Sequence, residues 1–383
     1  MSEQTKQRPL DVIIPVYRNL EVTQRCIESV FASGLGADVN LLVVDDASPE
    51  PELSAWCDLL ASQGKITLLR NEQNQGFVVS VNRAMQQNPE HDVVLLNSDT
   101  QVSGDWLQRL QAAAASHPRI ATVTPFSNNA TICSYPLFCQ SSGLPQGMPL
   151  TDLDQLFAQA NAGHYPELPT GVGFCLYIRR DALDELGYFD EEAFGRGYGE
   201  ETDFCMRASR AGWQNRLCGD LFVYHEGAVS FGQDRDERIV QAEQIMQARY
   251  PEYGQQVSMF VDQDPLRTLR DKVDLLRLSL PEQAIGVVND QYQHREWLLA
   301  GFTRAKAQLN QDLQQTCDAL SHTQQLLSES RDAFAETDKA LADAQKIVRD
   351  YEQTLTELNQ RWFVRVGRLF DIKLWISKFS GKL

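Results

Sequence analysis

The sequence predicts an α/β chain with a mainly parallel central sheet, followed by a long coiled-coil helix. Two patterns carry this expectation. In the first hundred residues, short continuous apolar runs alternate with helical stretches, as in strands buried on both faces and covered by helices. From Leu299 to Trp362, large residues instead recur every seven positions, with no Gly or Pro between Phe302 and Val366, as in a coiled coil. A composition of 43% hydrophobic and 23% charged residues over 383 positions suits a core-forming chain.

The elements follow in order. Asp11-Val12-Ile13-Ile14-Pro15-Val16 reads as a buried strand and the stretch from Glu21 to Ala32 as a helix. Leu41-Leu42-Val43-Val44 is the next strand, ending at Asp45-Asp46, with a helix from about Pro51 to Leu60 after it. Ile66 to Leu69 is a strand, Gly76 to Gln87 a helix, and Asp92 to Leu96 a strand ending at Asn97-Ser98-Asp99. Residues 125–170, rich in Ser, Pro, Gly and Asn, read as a long irregular connection. Leu168 to Arg180 is expected as a Gly-containing strand, Glu200 to Ala211 as a helix stopped by Gly212, and Leu221 to His225 as a further strand. The expected boundaries are a globular domain over 1–265, a helical connector over 266–298, a coiled coil over 299–362 and a basic, aromatic-rich segment over 363–383.

Charge and cysteine usage exclude several classes. A net charge of −17 argues against general nucleic-acid binding and suits a site that holds a cation. The eight cysteines form no C-x-x-C pair, so buried thiols are expected rather than zinc or a disulfide framework. There is no G-x-x-x-x-G-K-[ST], and no G-x-G-x-x-G after the first strand, which disfavours P-loop and dinucleotide chemistry. The polar start MSEQTKQRPL lacks a signal-peptide core and no run of about 18 apolar residues occurs. The expected location is therefore the cytoplasm.

The tail adds two expectations. One heptad seam holds Leu299, Lys306, Leu313, Leu320, Leu327, Phe334, Leu341, Val348, Leu355 and Trp362. The other holds Phe302, Leu309, Thr316, Thr323, Ser330, Thr337, Ala344, Tyr351 and Leu358. A helix this polar needs a partner, and self-association is the favoured reading, with strand number and direction open. The last 23 residues reverse the charge, interleaving Trp362, Phe363, Phe370, Trp375 and Phe379 with six Lys or Arg. This suits peripheral contact with an anionic membrane face or docking on a protein.

Ligands of such sheets bind at the carboxyl ends of the strands, where this chain places polar clusters. Each acid or histidine there, taken alone, has a structural explanation as a turn, cap or core residue. Their order is more specific. Ile14-Pro15-Val16-Tyr17, Val44-Asp45-Asp46-Ala47-Ser48, Asn74-Gln75-Gly76-Phe77, Leu96-Asn97-Ser98-Asp99-Thr100, Gly171-Val172-Gly173-Phe174-Cys175, Gly199-Glu200-Glu201-Thr202-Asp203 and His225 follow one another. Over about residues 8–235 this series resembles family 2 glycosyltransferases of the GT-A fold, in particular rhamnosyltransferase-like members of bacterial surface polysaccharide assembly.

The resemblance implies a nucleotide-diphospho-sugar donor, a glycan or lipid-linked glycan acceptor and a divalent metal, Mn2+ or Mg2+. Pro15, Val16, Tyr17, Asp45, Asp46, Asn74, Gly76, Asn97, Ser98 and Asp99 are the implied donor-binding residues, with Tyr17 stacking the base. Asp99 and His225 are the implied metal ligands. Glu201 is the implied catalytic base of an inverting transfer, with Asp203 as second choice. Two positions depart from the family pattern: Asn97 replaces the first Asp of D-x-D, which weakens the expected metal dependence, and Glu201 replaces the usual Asp, lengthening the base by one methylene. A catalytically inactive nucleotide-sugar-binding or coiled-coil scaffold protein is the alternative.

Overall fold

In the computed structural model, which describes residues 8–195, 197–227 and 235–379 with the side chains of 235, 236, 359 and 361–379 excepted, the βαβ rhythm of the sequence is realised. β1 (Leu10–Val16) leads through α1 (Leu20–Ala32) to β2 (Val39–Asp45), and α2 (Pro51–Ser62) leads to β3 (Thr67–Arg70). α3 (Phe77–Met85) and β4 (Asp92–Leu96) follow, then the two-residue β5 (Thr100–Gln101), α4 (Trp106–Ala115) and β6 (Ile120–Phe126). α5 (Leu150–Asn161), β7 (Glu167–Leu168), β8 (Cys175–Ile178), α6 (Arg180–Leu186), α7 (Glu191–Phe194) and α8 (Glu200–Arg210) come next. β9 (Gln214–Phe222), β10 (Tyr224–His225), α9 (Arg235–Arg249), α10 (Tyr253–Gln263) and α11 (Arg267–Leu278) precede the long α12 (Ala284–Phe379).

Among the described residues the main sheet has the order β3-β2-β1-β4-β8-β6-β9-β7. The pairs β3-β2, β2-β1, β1-β4 and β6-β9 are parallel, while β8 runs antiparallel between β4 and β6. Side chains alternate across the sheet. Val12, Ile14, Leu41, Val43, Val94 and Leu96 pack with Ile27, Leu53, Leu110 and Phe157 on one face. Ile13, Leu42, Val44, Val93 and Leu95 pack with Val78, Val81, Leu183, Phe204 and Met246 on the other. Burial on both faces is why these strands read as unbroken apolar runs. Each such side chain contributes about 1.5–3 kcal/mol.

Three expectations are refined. The stretch 168–180 is two strands, because 169–174 leave the sheet in a turn between β7 and β8. Leu221 to His225 divides at Val223, where the chain passes from the main sheet to the separate β5–β10 ribbon. The 125–170 connection contains α5, which buries Leu153 and Phe157. The chain divides into units ending at Trp297 and beginning at Leu298. Within the first, α11 lies against α5 with Leu269 and Val273 buried, so the stretch expected as a connector contributes to the core. The backbone of 363–379 is helical, and the side chains read as a membrane-facing set lie outside the described residues.

Candidate active site

The parallel register brings the ends of β1, β2 and β4 together, since Val16 lies opposite Asp45 and Ile13 opposite Leu95. Pro15 and buried Val16 complete β1, and half-buried Tyr17 follows with the Arg18 guanidinium 5.2 Å from its ring centroid. Asp45 is wholly buried and accepts from Ser48 N–H (2.8 Å), the Ser54 hydroxyl (2.8 Å) and Arg70 Nε (2.9 Å). Asp46 accepts from Asn71 Nδ2 (2.7 Å) and the backbone N–H groups of Gln75 (2.8 Å) and Gly76 (2.9 Å). It therefore fixes the loop carrying Asn74, whose side chain is half-buried. A carboxylate offers about four acceptor positions, so three donors leave Asp46 little capacity for a ligand. Ala47, next in the turn, has φ 53°, a left-handed conformation that costs a non-glycine residue energy.

The turn after β4 is closed by strand pairing. Asn97 N–H donates to the Phe174 carbonyl at 2.9 Å, and the Asn97 carbonyl accepts from the Thr100 hydroxyl at 2.7 Å. Beneath it, Cys26 Sγ approaches the same carbonyl at 3.4 Å, and burial pushes this thiol up to about 12. β5 and β10 pair antiparallel with Thr100 opposite His225, which brings His225 Nε2 to 3.4 Å from Asp99 Oδ1. Ser98 and Asp99 are both buried. Asp99 Oδ2 accepts from Gly227 N–H at 3.1 Å, and the Asp99 carbonyl accepts from Glu226 N–H at 2.9 Å.

His225 is oriented from every side. Its Nδ1 meets the Asn129 carbonyl at 2.8 Å; since a carbonyl only accepts, Nδ1 carries the proton and Nε2 is directed at Asp99. The His225 N–H donates to Asn128 Oδ1 (2.8 Å), and Asn128 Nδ2 donates to the His225 carbonyl (2.9 Å). The imidazole stacks on Phe174, with ring centroids 5.2 Å apart and planes 15° from parallel. Burial opposes charge on the ring, but the hydrogen bond and charge of Asp99, helped by the Asn129 carbonyl, raise its pKa above the ordinary histidine value. Sequence reasoning missed Asn128, Asn129 and the stacking role of Phe174. Ser127-Asn128-Asn129 lay within a stretch read as irregular, and only the fold brings it to β10.

A carboxylate oxygen and an imidazole nitrogen facing one another suit a divalent cation. Among the described residues no group of three His, Cys, Asp or Glu side chains forms a complete metal cage. The Asp99–His225 pair offers two donors, so an ion held there would take its other ligands from water or phosphate oxygens. Holding the ion requires His225 to release any Nε2 proton, so binding weakens as pH falls.

Glu200 and Glu201 open α8 behind a strained approach. Gly197, Tyr198 and Gly199 have φ of 117°, 77° and 89°, all left-handed. A Cβ on Gly199 would lie 2.9 Å from the Phe194 ring. Glu201 is part-exposed, yet its Oε2 is buried without a hydrogen-bond partner. Its carboxyl lies against Gly173, where an added Cβ would come within 3.5 Å of Cδ and Oε1. Burial raises the Glu201 pKa against the lowering effect of backbone donors around the helix start. Burial, and then the neighbouring Glu201 charge, push Glu200 well above the carboxylate range. Gly173 therefore contacts Glu201 while the adjoining Phe174 holds Asn97 and stacks on His225, which links the acid pair to the Asp99 turn.

Asp203 requires a correction. It is wholly buried and accepts from Arg207 Nε (2.9 Å), Arg249 Nη1 (3.0 Å) and the Tyr250 hydroxyl (2.8 Å). With its oxygens engaged on the inner side of α8, it locks α9 to α8 and is not placed as a base.

The parallel strands, the carboxylate turn after β4 and the returning histidine strand make an α/β domain with acids and a histidine gathered at its strand ends. Residues 11–187, just under half of the chain, match the sequence model described as Glycosyl transferase family 2. It is 27% identical over 218 residues to an N-acetylglucosaminyl-diphospho-decaprenol L-rhamnosyltransferase of Mycobacterium tuberculosis, covering 51% of this chain and 69% of that protein. It is 24% identical over 235 residues to the uncharacterized protein y4gI of Sinorhizobium fredii, covering 59% of this chain but a quarter, 25%, of that longer protein. Among solved structures it resembles GalNAc-T7 with UDP, GalNAc and Mn2+ (18% identity, TM-score 0.48, 63% of this chain and 48% of that one). It also resembles the mannosyltransferase PcManGT from Pyrobaculum calidifontis in complex with GDP-Man and Mn2+ (16% identity, TM-score 0.45, 79% and 81%).

Proposed function

We propose that this protein is an inverting, metal-dependent glycosyltransferase that moves a sugar from a nucleoside-diphosphate donor to a hydroxyl of a lipid-linked or polysaccharide glycan. One observation carries the reading. Asp99 and His225 face each other at 3.4 Å, and the Gly173-Phe174 stretch ties that pair to a buried carboxylate, Glu201, with an unpartnered oxygen. Such an oxygen costs stability, and a carboxylate left in that state is a candidate for chemistry.

Asp99 and His225 would hold the cation beside the donor diphosphate, where it acts as a Lewis acid on the leaving group. Glu201 takes the proton of the acceptor hydroxyl as that oxygen attacks the anomeric carbon opposite the diphosphate, and a single displacement inverts the configuration. Its raised pKa makes it a stronger base than an exposed glutamate. Tyr17 and the 74–76 loop contribute to the base and ribose end of the site, with Asp45 and Asp46 fixing its walls. The rhamnosyltransferase relative, whose name specifies a diphospho-decaprenol acceptor, supports an acceptor of surface-glycan assembly. We extend the proposal to the basic segment 363–383, read from sequence as membrane contact or docking on a protein, and assign it to the anionic membrane face that carries such an acceptor.

Thermal-shift measurements with UDP-, GDP- and dTDP-sugars, with and without Mn2+, test the reading. One nucleotide class should raise Tm by several degrees and require the ion, since ligand at 100 times Kd adds about 2.7 kcal/mol. The turned-over product should have the anomeric configuration opposite to the donor's. Ion-independent binding without turnover of any donor would replace the enzyme with the scaffold alternative.

A further inference from the structure

We infer that the helix from Leu299 to Leu358 pairs with the same helix of a second copy of this chain, antiparallel, with Leu327 of one copy over Ser330 of the other. The seams seen in the sequence are solvent-exposed along this unit: Leu313 is 61% exposed, Leu327 66%, Phe334 71% and Leu341 56%. A strict seven-residue repeat keeps one stripe facing a partner helix only if the two supercoil. The stripe therefore fits another helix of the same repeat, and a second copy supplies one.

Direction follows from size. Between Leu313 and Leu341 the first seam is large, while its companion is Thr316, Thr323, Ser330 and Thr337. In a parallel, in-register pair each position meets itself. Four central layers, alternating with layers of paired large residues, would then be hydroxyl against hydroxyl, and Lys306 would face a second Lys306. In an antiparallel pair the first seam of one copy meets the second seam of the other. Leu320 covers Thr337, Leu327 covers Ser330, Phe334 covers Thr323 and Leu341 covers Thr316, so each of these central layers joins a large side chain to a small one. Lys306 then lies against Tyr351, along whose ring its stem packs.

The threonines are already prepared for burial. Thr316, Thr323 and Thr337 donate their hydroxyls to the carbonyls of Asp312, Ala319 and Ala333 at 2.7–2.8 Å. This leaves their methyl groups to present to a partner without an unsatisfied donor. The flanking positions agree, because Ala319 meets Ala340 and Leu326 meets Ala333 in the same register.

Cys317 tests the direction. It is the exposed thiol of this helix, while Cys26, Cys57, Cys133, Cys175, Cys205 and Cys218 are buried and Cys139 is intermediate. Full-length protein is nitroxide-labelled at Cys317, with Cys317→Ser as the labelling control, and read by pulsed dipolar spectroscopy. In the antiparallel register Cys317 lies beside position 340 of the other copy. At 1.5 Å per residue the two labels are then roughly 35 Å apart, and light scattering gives a dimer. A separation under about 20 Å, expected when each label faces its own counterpart, overturns the proposal. So does a monomeric mass with no dipolar coupling.

Discussion

Two sets of carboxylates at strand and helix ends are treated differently by the protein around them. Asp45, Asp46 and Asp203 each receive three donors at 2.7–3.0 Å from backbone, hydroxyl, amide or guanidinium groups. Asp99 receives one backbone N–H on its side chain and faces a histidine at 3.4 Å, while Glu201 keeps a buried oxygen with no partner. The first set spends its charge on fixing loops and helices. The second is left short of donors where a cation and an attacking hydroxyl would supply them. Satisfied acids stabilise the native state, and unsatisfied ones cost stability and retain reactivity.

Exchanging single carboxylates separates the two sets. Glu201→Gln keeps size and removes the base, so kcat falls by about 10²–10⁴-fold while donor affinity, measured by calorimetry, stays within a few-fold. An undiminished kcat would place Glu201 with the structural set. Asp203→Asn should act in the opposite sense. Loss of the charge between Arg207 and Arg249 costs about 2–3 kcal/mol, below the range for a sealed pair because both guanidinium groups reach solvent. The melting temperature then drops by several degrees, with turnover per folded molecule unchanged.

Asn128→Ala releases His225 from its clamp. Mn2+ affinity, followed by the loss of the free-ion EPR signal, should weaken about 10–100-fold, with secondary structure by circular dichroism intact. The smallest effect is Glu200→Gln, which should stabilise. A buried acid with a raised pKa holds its proton in the folded state after the unfolded chain has lost it, so its contribution declines as pH rises above the ordinary carboxylate value. The variant's advantage, on the order of 1 kcal/mol, should therefore be present at pH 8 and shrink toward pH 4 in denaturant melts. An advantage that grows on acidification would contradict the burial argument.

The strands were legible because burial on both faces leaves an unbroken apolar run, as in Val93 to Leu96. The site's acids were legible as residues at strand and helix ends, but their division into two sets was not. Nothing near Asp203 in sequence announces Arg249 or Tyr250, which reach it only after α9 folds back. Asn128 is equally silent, since its value lies in meeting His225 across the turn to β10. The division of 221–225 at Val223 escaped notice for a related reason: the run is uniformly strand-like, and only its two pairing partners distinguish the halves.

Asp99 and Gly227, which clasp across the β5–β10 ribbon, stand 128 residues apart. The ribbon thus works as a zipper between an early and a late part of the polypeptide, and Asp99 and His225 face one another only once both have been made and joined. A nascent chain released before Tyr224 would lack this clasp, and β5 would have no strand to pair with. Shortened products of that length should be chemically silent.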